Sequence, residues 1–348
     1  MINKKLVIFN LATDEENEIL AFSISWVREF AKIYRNVWVF STHVGKYELP
    51  ANVVVTEIGG GSTKNRIIAL FRIVNTYFGI LRNRKQISIF HHMSTKTAAI
   101  LGLPIRLFGI KQILWYSHSA YKLDLKLSKI FVNYIVSSSP ISLPFKSSKN
   151  RFLGHGIDVQ AFQRYLNVKK EEDIISLGRV ARIKKLDNII EKVAQLKRIN
   201  TRIDFIGPIH DDEYRKELEK LAKDKRISIR FYGRINYIDV PSILSRYKYL
   251  YTGNPKTIDK AAIEGALTGT FVLSEDKEVL HLCGILDHWE ELQQNEFPNI
   301  SEQISFLDKL DKKTTNRMRR EISRRSAIRN NLSNTIQEIS NLLENESE

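Results

Sequence analysis

The chain has 348 residues, 54 Lys and Arg against 39 Asp and Glu, a formal net charge of +15, and one cysteine. That length allows two domains with real cores, and the lone Cys283 excludes a disulfide framework and points to a reducing compartment. The most apolar region, Thr97 to Tyr116, is broken by Pro104, Arg106 and Lys111, so no transmembrane helix is expected and the protein reads as soluble or peripheral. In chain order, the N-terminal KLVIF reads as a first strand rather than a secretion signal. A helical period follows from Glu16 to Ile33, then strands NVWVF and NVVVTEI, a helical stretch from Asn65 to Leu81, and strands QISIF, QILWYS and NYIVSS. A second series begins at strand DIISLG. It continues with helix LDNIIEKVAQLKRI, strand RIDFIG, helix DDEYRKELEKLAKD, strand ISIRFYG, helix VPSILSRY, strand YLYTG, a short helix within IDKAAIEGALTG, and strand TFVLS. The tail, Thr314 to Leu343, reads as helix.

Alternation of this kind implies an α/β chain with two parallel, doubly wound, Rossmann-like sheets. The expected domains are 1–166, 167–313 and a helical tail 314–348 packing back toward the first domain, with the join near Phe162 to Lys170. In such sheets ligands bind beyond the carboxyl ends of the strands, so chemistry is sought there, in a cleft between the two.

Charge is uneven. From Ile58 to Leu123 there is no acid but ten Lys and Arg, and a second basic cluster runs from Lys309 to Arg329. Such fields attract nucleic acid, anionic lipid or phosphorylated substrates without choosing among them. The helix Asn65–Leu81, with Arg66, Arg72 and Arg82 beside Ile67, Leu70 and Phe71, is the expected contact with an anionic membrane surface, and Arg84 follows it.

Three groups of residues fit chemistry. Gly178-Arg179 follows strand DIISL and Lys184 precedes the next helix, an arrangement suited to a diphosphate near a helix N-terminus. An exposed basic loop in a very basic protein accounts for the same residues equally well. Glu264 sits among Ala and Gly on the IDKAAIEGALTG helix. Those small residues suggest close approach by a ligand, and a carboxylate suits the two hydroxyls of a ribose. Asp259 is explained by the first turn of a helix capped on Thr257. His91, His92 and His118 lie at strand ends, where a neutral imidazole could meet a sugar hydroxyl or hold a metal. No carboxylate lies near them in sequence, and no Asp-x-Asp triplet appears, which favours metal-free chemistry. GGGSTK after NVVVTEI matches neither the dinucleotide fingerprint nor the P-loop and reads as a turn.

Taken in order, FLGHGIDVQAF, SLGRVARIKKLDNIIEKVAQLK, EYRKELEKLAKDKRISIRFYGRINYIDVPSILSRY and IDKAAIEGALTG resemble the family 4 glycosyltransferases, over nearly the whole chain. The resemblance implies the GT-B fold, no cofactor, and retaining transfer from a nucleoside-diphosphate sugar to a glycan or lipid-linked acceptor, in cell-surface polysaccharide or glycolipid synthesis. The cytoplasm or the inner face of the cell membrane is the expected location. It implies that Arg179 and Lys184, beside Gly178, hold the diphosphate. Glu264 would bind the ribose, and Gly233 to Ile235 would present backbone to the base. His118 would touch the donor sugar. Asp259-Lys260 resembles one branch of the family, and His92-Met93 resembles a His-Met pair seen in a branch. His92 and Asp14 are assigned to the acceptor or sugar side. Two departures stand out: Lys256 occupies the place of a usual Glu, and NLATDEENE replaces a glycine-rich loop. A catalytically inactive GT-B relative, a nucleic-acid binder and a nicotinamide-dependent oxidoreductase are the alternatives. The last lacks its glycine fingerprint, and no common nucleic-acid-binding motif appears.

Overall fold

The computed structural model describes residues 1–17, 19–59, 79–80, 82, 86–196, 201–253, 258–283 and 299–345. The chain divides into two compact units: Met1–Ile157 with Asn331–Glu348, and Asp158–Asn330. The expected join at Phe162 to Lys170 falls inside the second. Most of the helix expected over Asn65–Leu81 and most of GGGSTK, with Arg84, Lys256 and Thr257, lie outside the described residues; Gly79 and Ile80 are helical as expected. Among the described residues, no helix is long and apolar enough to cross a membrane.

The N-terminal unit is built on a seven-stranded sheet of order β3-β2-β1-β4-β5-β6-β7. Its strands are β1 (Ile2–Thr13), β2 (Tyr34–Val44), β3 (Val53–Glu57), β4 (Ile87–His92), β5 (Gln112–Trp115), β6 (Tyr134–Ser137) and β7 (Asn150–Phe152). Every pairing is parallel. Parallel strands are buried on both faces, which is why β1 carries Leu6, Val7, Ile8 and Phe9 in succession, all at most 1% exposed. Period two sorts them. Leu6 and Ile8 join Trp26 and Phe30 on one face; Val7 and Phe9 join Phe40, Ile89 and Ile105 on the other. The first face is completed by the C-terminal helix Leu332–Glu344, whose Leu332, Ile336, Ile339 and Leu343 recur at helical spacing. Trp26 donates its indole N–H to the Gly156 carbonyl at 2.9 Å. Gly156 has φ +60, and a Cβ there would lie 2.5 Å from the Trp26 ring, so only glycine fits.

The C-terminal unit has a five-stranded parallel sheet of order β10-β9-β8-β11-β12. These strands are β8 (Glu172–Leu177), β9 (Arg202–Ile206), β10 (Ser228–Gly233), β11 (Tyr247–Tyr251) and β12 (Phe271–Leu273). Strand order reverses between β1 and β4 in the first sheet and between β8 and β11 in the second. Ligands of open α/β sheets settle beyond such switch points.

Several expected elements are revised. The first helix spans Ser23–Ile33, not Glu16–Ile33. The Asn17 carboxamide accepts the amides of Ile19 and Leu20, and Asp14 accepts that of Glu16. These side-chain turns compete with helix over the first seven residues. The tail is two helices, Lys312–Asn330 in the C-terminal unit and Leu332–Glu344 in the N-terminal unit. Asn331 separates them and caps the second by accepting the Asn334 amide. Strand β7 and the helices Thr95–Leu107 and Leu123–Phe131 were not among the expected elements.

Candidate donor-binding site

Three glycines end three neighbouring strands of the C-terminal unit. Gly178 follows β8, Gly207 follows β9, and Gly233 closes β10, with φ of +130°, +146° and +71°. The Gly178 amide donates to the Ile206 carbonyl and the Gly207 amide to the Gly233 carbonyl, both at 2.8 Å. A Cβ on Gly207 would lie 2.1 Å from the Gly178 carbonyl oxygen. The expected Gly178 and Gly233 are therefore joined by Gly207, which sequence reasoning missed. Its signal was its place directly after RIDFI.

Beyond Gly178 the chain makes a short 3-10 turn, Arg182–Lys184, and Lys185 takes a left-handed conformation with φ +46°. Tyr251 pins this loop under β11 by donating its hydroxyl to the Lys185 carbonyl at 2.9 Å. Three of the loop's four cations fare differently. Arg182 makes a two-pronged pair with Glu217, both bonds at 2.7 Å, which pushes its guanidinium pKa up. Lys184 is largely buried and pairs with Asp259 Oδ2 at 2.7 Å. Arg179 is exposed and has no ion pair among the described residues.

Asp259 also accepts the Thr252 hydroxyl at 2.9 Å. It is the N-cap residue of helix Lys260–Leu267, yet its side chain makes no capping bond. This corrects the expected start near Thr257 or Ile258. With its carboxylate committed to Lys184 and Thr252, Asp259 stays extended and the helix begins after it. One of the small residues beside Glu264 has a packing cause. A Cβ on Gly265 would come within 3.3 Å of Leu250, so that glycine lets the helix sit closely on β11.

Glu264 is 3% exposed. Its Oε1 accepts the Tyr237 hydroxyl at 2.7 Å and pairs with Lys260 Nζ at 2.8 Å. Lys260 also donates to the Tyr237 hydroxyl and lies 3.9 Å from its ring centroid. Burial, then the neighbouring Glu264 charge, holds the Tyr237 hydroxyl protonated far above its usual range. Burial lowers the Lys260 pKa, and Glu264 opposes that shift. A carboxylate this deep in a helix survives because two donors meet it. Tyr237 was missed from sequence, although it lies only two residues beyond the Gly233–Ile235 stretch expected to meet the base. Ile235, half-buried, leads from Gly233 into the 3-10 turn Tyr237–Asp239.

In the N-terminal unit, β4 ends on two buried histidines. The ring nitrogens of His91 lie 3.0 Å from Thr97 Oγ1 and 3.3 Å from Gln112 Oε1, making it a satisfied core residue. His92 sits at the switch point, paired in register with Asn10 of β1 and Trp115 of β5. Its Nδ1 is 3.1 Å from Asn10 Oδ1, its ring stacks on Trp26 at 5.0 Å, and its Nε2 is buried without a partner. Burial pushes the His92 imidazole down to about 3 and that of His91 down to about 4. His118 is exposed and its Nδ1 accepts the Ala120 amide at 2.9 Å, which places the neutral ring's proton on Nε2. Asp14 braces the loop after β2: it accepts the Lys46 amide at 3.2 Å and lies 3.5 Å from His43 Nε2. Among the described residues, no group of three or more His, Cys, Asp or Glu could hold a metal.

A family model described as Glycosyl transferases group 1 matches residues 159–251. That span contains Gly178, Arg179, Lys184, Gly233 and Ile235 and stops before Asp259, Lys260 and Glu264. Solved structures match over nearly the whole chain. Anabaena Alr3699/HepE, in complex with UDP and glucose, superposes with a TM-score of 0.70 at 13% identity, over 98% of this chain and 99% of that one. Sucrose-phosphate synthase from Thermosynechococcus elongatus gives 0.70 at 14% identity over 97% and 98%. A glycosyltransferase from Rickettsia africae gives 0.69 at 12% identity over 99% and 100%. The fold is GT-B. The matched family and the GT-B neighbours together support a glycosyltransferase. No curated protein matches this sequence significantly. Within the GT-B fold, the cluster of Lys184, Asp259, Lys260 and Glu264 belongs to the C-terminal unit, while His92, His118 and Asp14 belong to the N-terminal unit.

Proposed function

We propose that the protein is a retaining, metal-independent glycosyltransferase of family 4. It moves a sugar from a nucleoside-diphosphate sugar to a glycan or lipid-linked acceptor, in cell-surface polysaccharide or glycolipid synthesis, and works in the cytoplasm against the inner face of the cell membrane. The observation that carries this reading is the convergence of Lys184, Asp259 and Thr252 at the switch point between β8 and β11. Arg179 and Lys184 meet the diphosphate, Lys184 turning from Asp259 to the phosphate as the donor enters. Gly233 and Ile235 offer backbone to the base. Glu264, held by Tyr237 and Lys260, accepts from the ribose hydroxyls.

As the sugar–phosphate bond breaks, charge grows on the leaving diphosphate. Cations gathered at the leaving group stabilise that charge more than they stabilise the ground state. His118, with its proton on Nε2, can donate to the transferred sugar. His92 and Asp14 serve the acceptor or sugar side. The complexes of the Anabaena protein with UDP and UDP-glucose favour a uridine donor.

One observation favours a second reading, an inactive GT-B relative. The buried charges already neutralise one another, Lys184 with Asp259 and Lys260 with Glu264. Incubation with a panel of nucleotide sugars and cell-envelope acceptors, read by mass spectrometry, separates the two. A glycosylated product establishes transfer; nucleotide binding without any product across the panel supports the inactive relative.

A further inference from the structure

The helices Thr95–Leu107 and Leu123–Phe131 lie side by side on one face of the N-terminal sheet. Ser128 Oγ donates to the Thr95 carbonyl at 2.8 Å, and the Gln112 carboxamide donates to the carbonyls of both Gly102 and Phe131, at 2.8 and 3.2 Å. Ala98 from the first helix and Leu125 from the second enter the same apolar cluster beneath them. At about 100° per residue, positions two further on point away from that cluster. Those positions are Ile100 and Leu127, and both are exposed.

The outward stripe continues at helical spacing. Ile100, Leu103 and Leu107 form it on the first helix, and Leu123, Leu127 and Ile130 on the second. Ile100 is 72% exposed, Leu107 77%, Leu123 70% and Ile130 60%. An outer helix face is ordinarily polar, and contiguous apolar patches on soluble surfaces mark interaction sites.

The surrounding charge has one sign. From Gln86 to Ile157 the sequence holds nine Lys and Arg and one acid, Asp124. That acid is engaged by the Thr95 hydroxyl at 2.5 Å and by the Leu125 amide. Lys96, Arg106, Lys122 and Lys126 are exposed around the stripe.

We infer that this two-helix face docks on an anionic lipid surface, the apolar stripe entering the headgroup boundary and the lysines meeting lipid phosphates. Apolar side chains ringed by Lys and Arg have this complementarity. A nucleic acid would use the cations and leave six exposed apolar side chains without a partner. The surface differs from the helix expected over Asn65–Leu81. It deepens the membrane part of the proposed function and shares none of the donor chemistry.

The test is co-sedimentation with phosphatidylcholine vesicles, with and without phosphatidylglycerol, at low salt and without nucleotide. Binding is expected only to the anionic vesicles and is reversed by salt. The double variant Leu107→Ser/Ile130→Ser, and separately Lys96→Glu/Lys122→Glu/Lys126→Glu, should each lower the partition coefficient at least about tenfold. A control on another unit, Lys220→Glu/Lys223→Glu, should change it little. Absent binding, an unchanged Leu107/Ile130 variant, or an equal loss in the control would overturn the proposal. So would a dimer in sedimentation velocity that the Leu107/Ile130 variant dissolves while vesicle binding is absent. Nucleotide affinity, measured in parallel, reports on the donor site alone and keeps the two failures apart.

Discussion

Tyr237 touches Glu264 and Lys260 at once, and its hydroxyl fixes where the carboxylate sits. If Glu264 serves a ribose, Tyr237→Phe should weaken UDP binding about fivefold, the cost of one net hydrogen bond near 1 kcal/mol. It should weaken 2′-deoxyuridine diphosphate binding less, because that nucleotide lacks one of the hydroxyls concerned. Calorimetry with both nucleotides checks this; equal losses would assign Glu264 to structure alone. The buried histidines carry a pH prediction. Unfolded, each imidazole titrates near 6.5; folded, burial keeps His91 neutral down to about 4 and His92 down to about 3. Below pH 6.5 the unfolded chain takes up protons that the folded chain refuses. Their contribution is therefore complete above pH 6.5 and falls by about 1.4 kcal/mol per pH unit for each histidine as pH drops toward 4. Urea unfolding at stepped pH measures the slope, and His92→Phe should reduce it by roughly half. The Gly-Arg…Lys run and Glu264 were legible because they sit at strand ends or interrupt an apolar helix. The pairing of Lys184 with Asp259, across 75 residues of sequence, was not. Nothing local encodes it.

At the scale of elements, apolar periodicity served well where strands run buried on both faces, as in LVIF of β1 or IIS of β8. It did worse wherever side chains capped backbone. Asn17 and Asp14 delay the first helix, and Asn331 splits the tail, through hydrogen bonds that no hydrophobic pattern reports. The helix Thr95–Leu107 escaped notice because Ile100, Leu103 and Leu107 put apolar residues on its outer face too, so its period is blurred. The C-terminal helix gives a direct prediction. Leu332, Ile336, Ile339 and Leu343 close one face of the N-terminal sheet, and all are at most 3% exposed. Truncation after Asn330 removes them, at about 1.5–3 kcal/mol for each side chain. The truncated chain should lose the N-terminal unit's cooperative unfolding transition while the C-terminal unit keeps its own, as followed by hydrogen exchange. Retained protection of β1 and β4 amides would contradict this packing account.

For the whole molecule, the doubling of the α/β pattern was readable from strand and helix order, and the structural neighbours bear out the GT-B fold. The chain passes between its units at Ile157 and again at Asn330, a few residues before the expected join at Phe162 to Lys170 and well after the expected start of the tail at Thr314. On the proposed mechanism, cations take the position of a metal at the leaving group, so turnover should survive EDTA; loss of activity on chelation, restored by manganese, would move that task to a metal. The central claim is that a nucleoside diphosphate binds beyond β8 and β11 through Arg179 and Lys184. Titration calorimetry of UDP against the wild-type protein, Arg179→Ala and Lys184→Ala tests it most directly. Charge-assisted contacts to phosphate contribute roughly 1.5–3 kcal/mol, so each variant should bind at least about tenfold more weakly with its fold intact by circular dichroism. Unchanged affinity in both variants would contradict the account.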